Sequence, residues 1–176
     1  KILASSRTYD LPAGADLKDV KGLFLGAVPV SFAIGLGEAT QLQGVTQGGS
    51  EDYRYNFGFV EVAGQTATAR VTLRGPNGVG LATKDYALAA YEARQVNVGD
   101  LGAPGTTNGR LEIAVVSGSG KLVLYGTQIA NGSQDSAGFE MSFKDGLLAE
   151  NTASSAENVA ASTSATTASV VQKTVE

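Results

Sequence analysis

The sequence predicts an all-β sandwich, and three observations carry this prediction. Short runs in which apolar and polar residues alternate recur at spacings of about 8–12 residues, with turn signals between them. The chain contains 23 glycines against only 4 prolines, which favours many short strands and tight turns. No helical pattern is long enough to cross over a parallel sheet. We therefore expect about eight strands, one short helix and an extended C-terminal tail in this chain of 176 residues.

The clearest strand lies at residues 67–74. Its apolar and polar side chains alternate strictly, which indicates a strand with one buried face and one solvated face. The residues expected to be buried are Ala67, Ala69, Val71 and Leu73, and those expected to face water are Thr68, Arg70, Thr72 and Arg74.

The preceding run changes phase along its length. Tyr55, Phe57 and Phe59 share one face, but the next apolar residues are Val60 and Val62. A β-bulge between Phe59 and Val62 would restore the register, because one extra residue turns the following side chains to the other face. The alternative is that both faces of this strand are covered.

Residues 63–66 are expected to join these two runs as a tight hairpin, because Gly64 can adopt the positive φ angle that such a turn needs. Residues 75–78 form a further turn, and residues 117–120 are expected to close a second hairpin onto the strand at 121–130. That strand is apolar on both faces, so it lies centrally in the sandwich or against a partner. Other strands are predicted at residues 1–11, 40–46, 79–88, 93–98, 111–115 and 139–143.

One short helix is predicted to begin near Pro29 and to end at Gly35 or Gly37. The buried core is expected to lie between two facing sheets. Its most strongly indicated members are Phe57, Phe59, Val71, Leu73, Leu111, Ile113, Leu122 and Leu124.

The chain has no histidine and no cysteine. This excludes from it the usual zinc sites, Ser-His-Asp triads, cysteine nucleophiles, haem ligation and iron–sulfur clusters. We expect no enzyme activity, no cofactor and no metal site. The metal alternative is calcium at Asp16 and Asp19, for which turn and capping roles are the simpler interpretation.

The net charge of −4 and the pI near 4.9 give no basic surface for nucleic acid or an anionic membrane. No apolar run approaches the roughly 20 residues of a membrane helix. The chain begins at Lys1 without an initiator methionine, which we interpret as a mature or trimmed product.

Three local patterns imitate functional sites. Residues 75–80 followed by Lys84 suggest a phosphate loop, but such a loop needs Gly-Lys-Ser/Thr at the start of a helix, so a turn is predicted. Glu51 and Asp52 are interpreted as a solvated loop rather than a glycosidase pair. Five tyrosines could line a sugar-binding face, although tyrosine is also favoured in strands and at sandwich edges: Tyr53, Tyr55, Tyr86, Tyr91 and Tyr125.

Residues 151–176 differ in composition from residues 1–150, which we assign to the sandwich. Alanine, serine and threonine make up 16 of the last 26 residues. Such a segment on its own can bury too little apolar surface to offset the conformational entropy that it would lose on folding. We expect this tail to act as a donor or docking strand on another copy; a ninth strand on its own domain is the alternative. The residues that would allow close approach and fill a groove are Ala165, Ala168, Val170, Val171 and Val175.

Seven short segments follow one another in order: SRTY at 6–9, VP at 28–29, GLG at 35–37, YRYNFGFV at 53–60, ARVTLR at 69–74, NGR at 108–110 and LY at 124–125. The order resembles an immunoglobulin-like β-sandwich module repeated in large secreted bacterial proteins. In such modules a strand similar to R-T-N-x-G-x-V precedes one similar to A-T-V-T-V-T-L-R. The resemblance spans residues 6–143 and implies an immunoglobulin-like sandwich outside the cytoplasm, with no catalytic residues to carry over.

The favoured functional hypothesis is an extracellular or cell-surface structural subunit that assembles with copies of itself. A filament, a pilus-like appendage or a surface layer would each fit this hypothesis. The alternative is an adhesive or carbohydrate-binding module of a secreted protein.

Overall fold

Ten strands form three antiparallel sheets in the computed structural model, which describes residues 5–10, 13–14, 16, 21–47 and 52–143. The prediction of an all-β sandwich is confirmed, with more strands than the eight or so expected. The strands are β1 (Ser5–Asp10), β2 (Lys21–Gly26), β3 (Ala39–Gln47), β4 (Tyr53–Glu61), β5 (Ala67–Arg74), β6 (Gly80–Leu88), β7 (Ala93–Asn97), β8 (Thr106–Gly118), β9 (Leu122–Ala130) and β10 (Ser136–Glu140).

Two of the sheets have four strands each and form the sandwich. Sheet I has the order β10-β9-β4-β7 and sheet II the order β3-β8-β5-β6, while β1 and β2 form a separate hairpin. The chain divides into two units, Lys1–Ser142 and Phe143–Glu176, and Phe143 alone represents the second unit among the described residues. The domain boundary at residue 150 stays a prediction.

The predicted core is confirmed. All eight side chains named from the sequence are at most 1% exposed, and they belong to one continuous hydrophobic cluster. An aromatic group lies within it, where the Phe57 ring meets Phe59 and Tyr86 edge-to-face with ring centres 5.4 and 6.0 Å apart. The interior between the two sheets is therefore filled by the sandwich itself.

The alternation in β5 is also confirmed. Its small and aliphatic residues are buried, while its polar residues lie on the outer face of sheet II. There the guanidinium of Arg70 binds the Asp85 carboxylate at 2.8 Å, and Arg74 binds Glu112 at the same distance. This outer face is solvated and charged.

Both expected hairpins at residues 63–66 and 117–120 are wrong. β4 pairs with β7 and β9, whereas β5 pairs with β6 and β8. Each of these two turns therefore carries the chain from one sheet to the other. Alternation and a glycine-containing turn indicate where the chain bends. They do not indicate whether the next strand pairs with the preceding one in the same sheet or belongs to the opposite sheet. Gly64 does adopt the expected positive φ, at 70°.

These turns are held by a buried carboxylate at the end of β4. Glu61 is 1% exposed, and no side-chain cation bonds to it among the described residues. Its two oxygens accept hydrogen bonds from the backbone N–H groups of Ala63 (2.8 Å), Gly64 (2.8 Å), Gln65 (3.3 Å), Tyr91 (2.9 Å) and Lys121 (3.0 Å). One side chain thus fastens three connections at one end of the sandwich.

The expected short helix is a 3₁₀ turn over Val30–Phe32 that begins after Pro29. A second 3₁₀ turn at Val98–Leu101, with Val98 and Leu101 buried, follows β7 and was not predicted. The last strand lies a few residues earlier than predicted, at Ser136–Glu140. Strand β2 was not predicted.

Candidate docking groove

The outer face of sheet I is apolar at its centre. β4 keeps a regular register with its neighbours from Tyr53 to Glu61, so the expected β-bulge between Phe59 and Val62 is wrong and the alternative holds. Glu61 takes the inward position after Phe59, while Val60 and Val62 line the outer side of the sheet. The phase change in the sequence marks a strand with apolar contacts on both faces.

Strand β9 continues this apolar surface. Leu122 and Leu124 are buried in the core, while Val123 and Tyr125 point outwards beside β4. β9 lies between β10 and β4, which agrees with its predicted central place. Valine side chains from two adjacent strands therefore form the floor of a groove.

Tyr125 covers one end of this floor. Gly58 is its direct neighbour across the β4–β9 ladder, and a Cβ atom at Gly58 would overlap the Tyr125 ring. The Tyr125 hydroxyl donates to Oε1 of Gln95 on β7, at 3.4 Å. The ring can lie flat across the sheet because the position beneath it has no side chain.

Gly58→Ala is therefore expected to displace Tyr125 and to cost about 1–3 kcal/mol of stability, as overpacked positions do. Urea denaturation would measure this loss. Gly132→Ala is the matched control: a Cβ there would meet nothing within 4 Å, so its effect should stay within about 0.5 kcal/mol. Equal stability of the two variants would contradict the described position of the ring.

The hairpin β1–β2 forms a wall of the groove beside this floor. Leu25, Val28 and Gly26 border it, and the carboxylate-bearing residue Glu140 of β10 also lines it. The groove is open to solvent along one side and has a volume of about 190 Å³, which suits branched aliphatic side chains rather than a helix. The groove is an apolar slot with one acidic residue along it.

A larger cavity of about 400 Å³ lies at the other end of the hairpin, and charged, polar and apolar side chains all line it. The Arg54 guanidinium donates to Asn131 Oδ1 (2.6 Å) and Gln134 Oε1 (3.0 Å). The Lys21 ammonium donates to the Ser133 carbonyl. Both cations thus bind the β9–β10 turn. The remaining lining residues include Tyr9, Asp10 and Ser136.

The open side of the sandwich, at edge strands β6 and β7, carries charges that point inwards. Lys84 lies opposite the buried Val71, and its ammonium donates to the Asp100 carbonyl at 3.1 Å. Arg94 lies opposite the buried Phe59 and binds the Glu92 carboxylate. Inward charges on edge strands disfavour pairing with another strand.

The opposite side of the sandwich is partly occupied. The Ser142 N–H donates to the Gln41 carbonyl of β3 at 3.0 Å, and the Thr40 hydroxyl donates to the Ser142 carbonyl at 2.7 Å. β10 runs beside the hairpin, where a Cβ at Gly138 would lie 3.0 Å from a Leu23 methyl carbon. In the described part of the chain, β2 pairs with β1 alone.

Several residues proposed from the sequence have other roles or lie elsewhere. Tyr55 and Tyr86 are buried in the core, so the five tyrosines do not form one sugar-binding face. Residues 75–79 make a turn closed by a bond from the Gly75 N–H to the Val79 carbonyl, and Lys84 lies in β6. This arrangement is a β-hairpin, not a phosphate loop.

The candidate assembly residues of the tail lie outside the described residues. These are Ala165, Ala168, Val170, Val171 and Val175. Asp19 and Glu51 also lie outside, so the structure places neither of the two acidic pairs suggested by the sequence.

Three carboxylates in the described ranges serve as partners of arginine side chains. Asp85, Glu92 and Glu112 are each bound by an arginine. The arginine is the main cause that lowers the pKa of the Asp85 and Glu112 carboxyls, whereas the pKa of Glu92 is lowered first by the Ala89 N–H and then by Arg94. Among these residues, no three acidic side chains gather as a metal site would require. Nor does this part of the chain contain a helix of the length and hydropathy needed to cross a bilayer.

Comparison with family models, with curated proteins and with solved structures returned no match for this chain. The resemblance to a repeated secreted module therefore stays a prediction.

Proposed function

We propose that this chain is a non-enzymatic structural subunit, placed outside the cell or on its surface, that assembles with copies of itself through residues 151–176. The apolar groove on the outer face of sheet I carries this proposal. The sandwich already fills its core between the two sheets, and Val60, Val62 and Val123 are only half-buried where they line the groove. Apolar surface beyond the core is typical of interaction sites.

The edge strands of the sandwich also support assembly through the tail. Inward-pointing Lys84 and Arg94 disfavour direct edge-to-edge pairing. Association of subunits would then depend on a dedicated segment rather than on accidental sheet extension. The tail, rich in small residues and carrying four valines, has the composition for that role.

The experiment compares the full chain with a chain lacking residues 151–176. We expect the full chain to form particles much larger than a monomer in light scattering and negative-stain microscopy. The shortened chain should give the same circular dichroism spectrum and sediment as a monomer. Assembly by the shortened chain, or a monomeric full chain at high concentration, would overturn the proposal.

A second candidate function is an adhesive or carbohydrate-binding module, and the cavity of about 400 Å³, with its mixed polar and apolar lining, favours it. Tyr9 is 56% exposed there and stands beside Asp10 and Arg54, a combination that can stack on and hydrogen-bond to a sugar. Titration with a panel of oligosaccharides would test this function. Binding that Tyr9→Ala abolishes would support it, and no binding by the full chain would exclude it for that panel.

A further inference from the structure

The apolar groove has the chemistry of a receptor for a short extended segment. Its walls are Leu25 and Val28 on one side and Val60, Val62 and Val123 on the other. An incoming strand presents alternate side chains to one face, so two aliphatic residues spaced four apart would enter together. The residue midway between these two, on the same face of the strand, would lie beside Glu140. A cationic side chain is favourable at that position.

The sequence of the tail contains one such segment. In an extended conformation Val171, Lys173 and Val175 would share a face, because side chains alternate along a strand. Their order, aliphatic, cationic, aliphatic, complements a groove of valines with one carboxylate. Ala168 and Ser169, just before them, are small enough for a close approach of two backbones.

We propose that the groove receives residues 171–175 of a second copy of the chain. Val171 and Val175 occupy the apolar slot, Lys173 pairs with Glu140, and the backbone runs along β2. This inference rests on the proposed function and names the receiving site. A groove on one copy and a tail on the next make a heterologous contact, and such contacts extend into open polymers.

The first test places a carboxylate in the groove of the full chain. Val62→Asp should weaken association at least about 100-fold, because an unpaired charge would be buried against valines. Val79→Asp is the matched control, since Val79 is exposed on the β5–β6 turn of sheet II, and neither of these strands lines the groove. Sedimentation velocity measures both variants, and thermal melting checks that each remains folded.

The second test exchanges charges. Glu140→Lys and Lys173→Glu should each weaken association by up to about 5-fold, the range of exposed ion pairs. The two changes together should restore most of the loss, because the pair is re-formed with opposite signs. Additive losses in the double variant would show that these two residues do not meet.

The third test separates docking on a second copy from docking on the same copy. A full chain with Val62→Asp keeps its tail, and a full chain with Val171→Asp and Val175→Asp keeps its groove. Each alone should be monomeric, and an equimolar mixture should form heterodimers that grow no further. A mixture that stays monomeric would overturn docking in trans.

Failure of this inference is distinguishable from failure of the proposed function. If Val62→Asp assembles as well as the control while loss of residues 151–176 still abolishes assembly, the groove is not the receptor and the assembly role stands. If the unmodified full chain is a monomer, the proposed function fails and the groove inference fails with it.

Discussion

Replacing Glu61 with glutamine is expected to lower the free energy of unfolding at pH 7 by about 3 kcal/mol or more. The amide keeps the shape of the carboxylate but loses its charge, and its NH₂ group would face backbone N–H groups that are themselves donors. Hydrogen bonds to a buried ion are the strong ones, and a donor left without an acceptor inside the protein is costly. All three connections at this end of the sandwich should loosen together.

The pKa of the Glu61 carboxyl indicates the size of this contribution. Burial by itself would raise the pKa, but hydrogen bonds from the backbone N–H groups of Tyr91, Ala63, Lys121 and Gly64 outweigh burial and lower the pKa from 4.5 to about 2. At about 1.4 kcal/mol for each pH unit, that interval corresponds to roughly 3 kcal/mol.

The sign of the pH dependence follows from the lowered pKa. The unfolded chain takes up a proton near pH 4.5 while the folded chain resists until about pH 2. The stabilisation is therefore complete above the unfolded pKa and is lost as the pH falls through the folded pKa. Urea denaturation between pH 7 and pH 2 should show the unmodified protein and Glu61→Gln converging in stability at the acidic end.

Glu112→Gln is the matched control for this experiment. Its carboxylate binds Arg74 on the outer face of sheet II and is 37% exposed, so its loss should cost no more than about 1 kcal/mol. A similar cost for both variants at pH 7, or a difference that persists unchanged to pH 2, would contradict a stabilising role for the Glu61 charge.

The sequence was sufficient for the fold class and for the core. A strict alternation such as that of Val71 and Leu73 with Thr72 and Arg74 has one structural solution, a strand with one face buried. Eight core positions followed from such patterns. Partner choice did not follow, because pairing is decided by contacts between residues far apart in the sequence. The turn at Gly64 looked like a hairpin for this reason, although it joins two sheets.

Glu61 could not have been identified from the sequence. A glutamate among apolar residues of a strand is normally predicted to face solvent. The five N–H groups that stabilise Glu61 come from three separate connections. The groove did leave a signal in the change of phase at Val60 and Val62. Choosing between a bulge and a doubly covered strand required the register of β4 with β7 and β9, which depends on residues far away in the sequence.

Replacing Phe57 with alanine is expected to cost about 3–5 kcal/mol, the range for truncating a fully buried aromatic side chain. The Phe57 ring is completely buried on β4 and contacts both Phe59 and Tyr86 edge-to-face. Its removal would leave a cavity between the two sheets that neighbouring strands, each fixed in a ladder, cannot close. The midpoint of thermal unfolding should fall by roughly 6–20 °C for a domain of this size.

Tyr86→Phe is the control within the same aromatic cluster. The Tyr86 hydroxyl is buried and has no hydrogen-bond partner among the described residues, so removing it should leave stability unchanged or raise it by up to about 1 kcal/mol. Urea denaturation with an unchanged m-value would show that both effects arise in the folded state. A cost below about 1 kcal/mol for Phe57→Ala would mean that the two sheets do not pack against each other through this ring. Truncating an aromatic side chain buried between two sheets removes both its transfer free energy and its van der Waals contacts, so the cost would have to be larger.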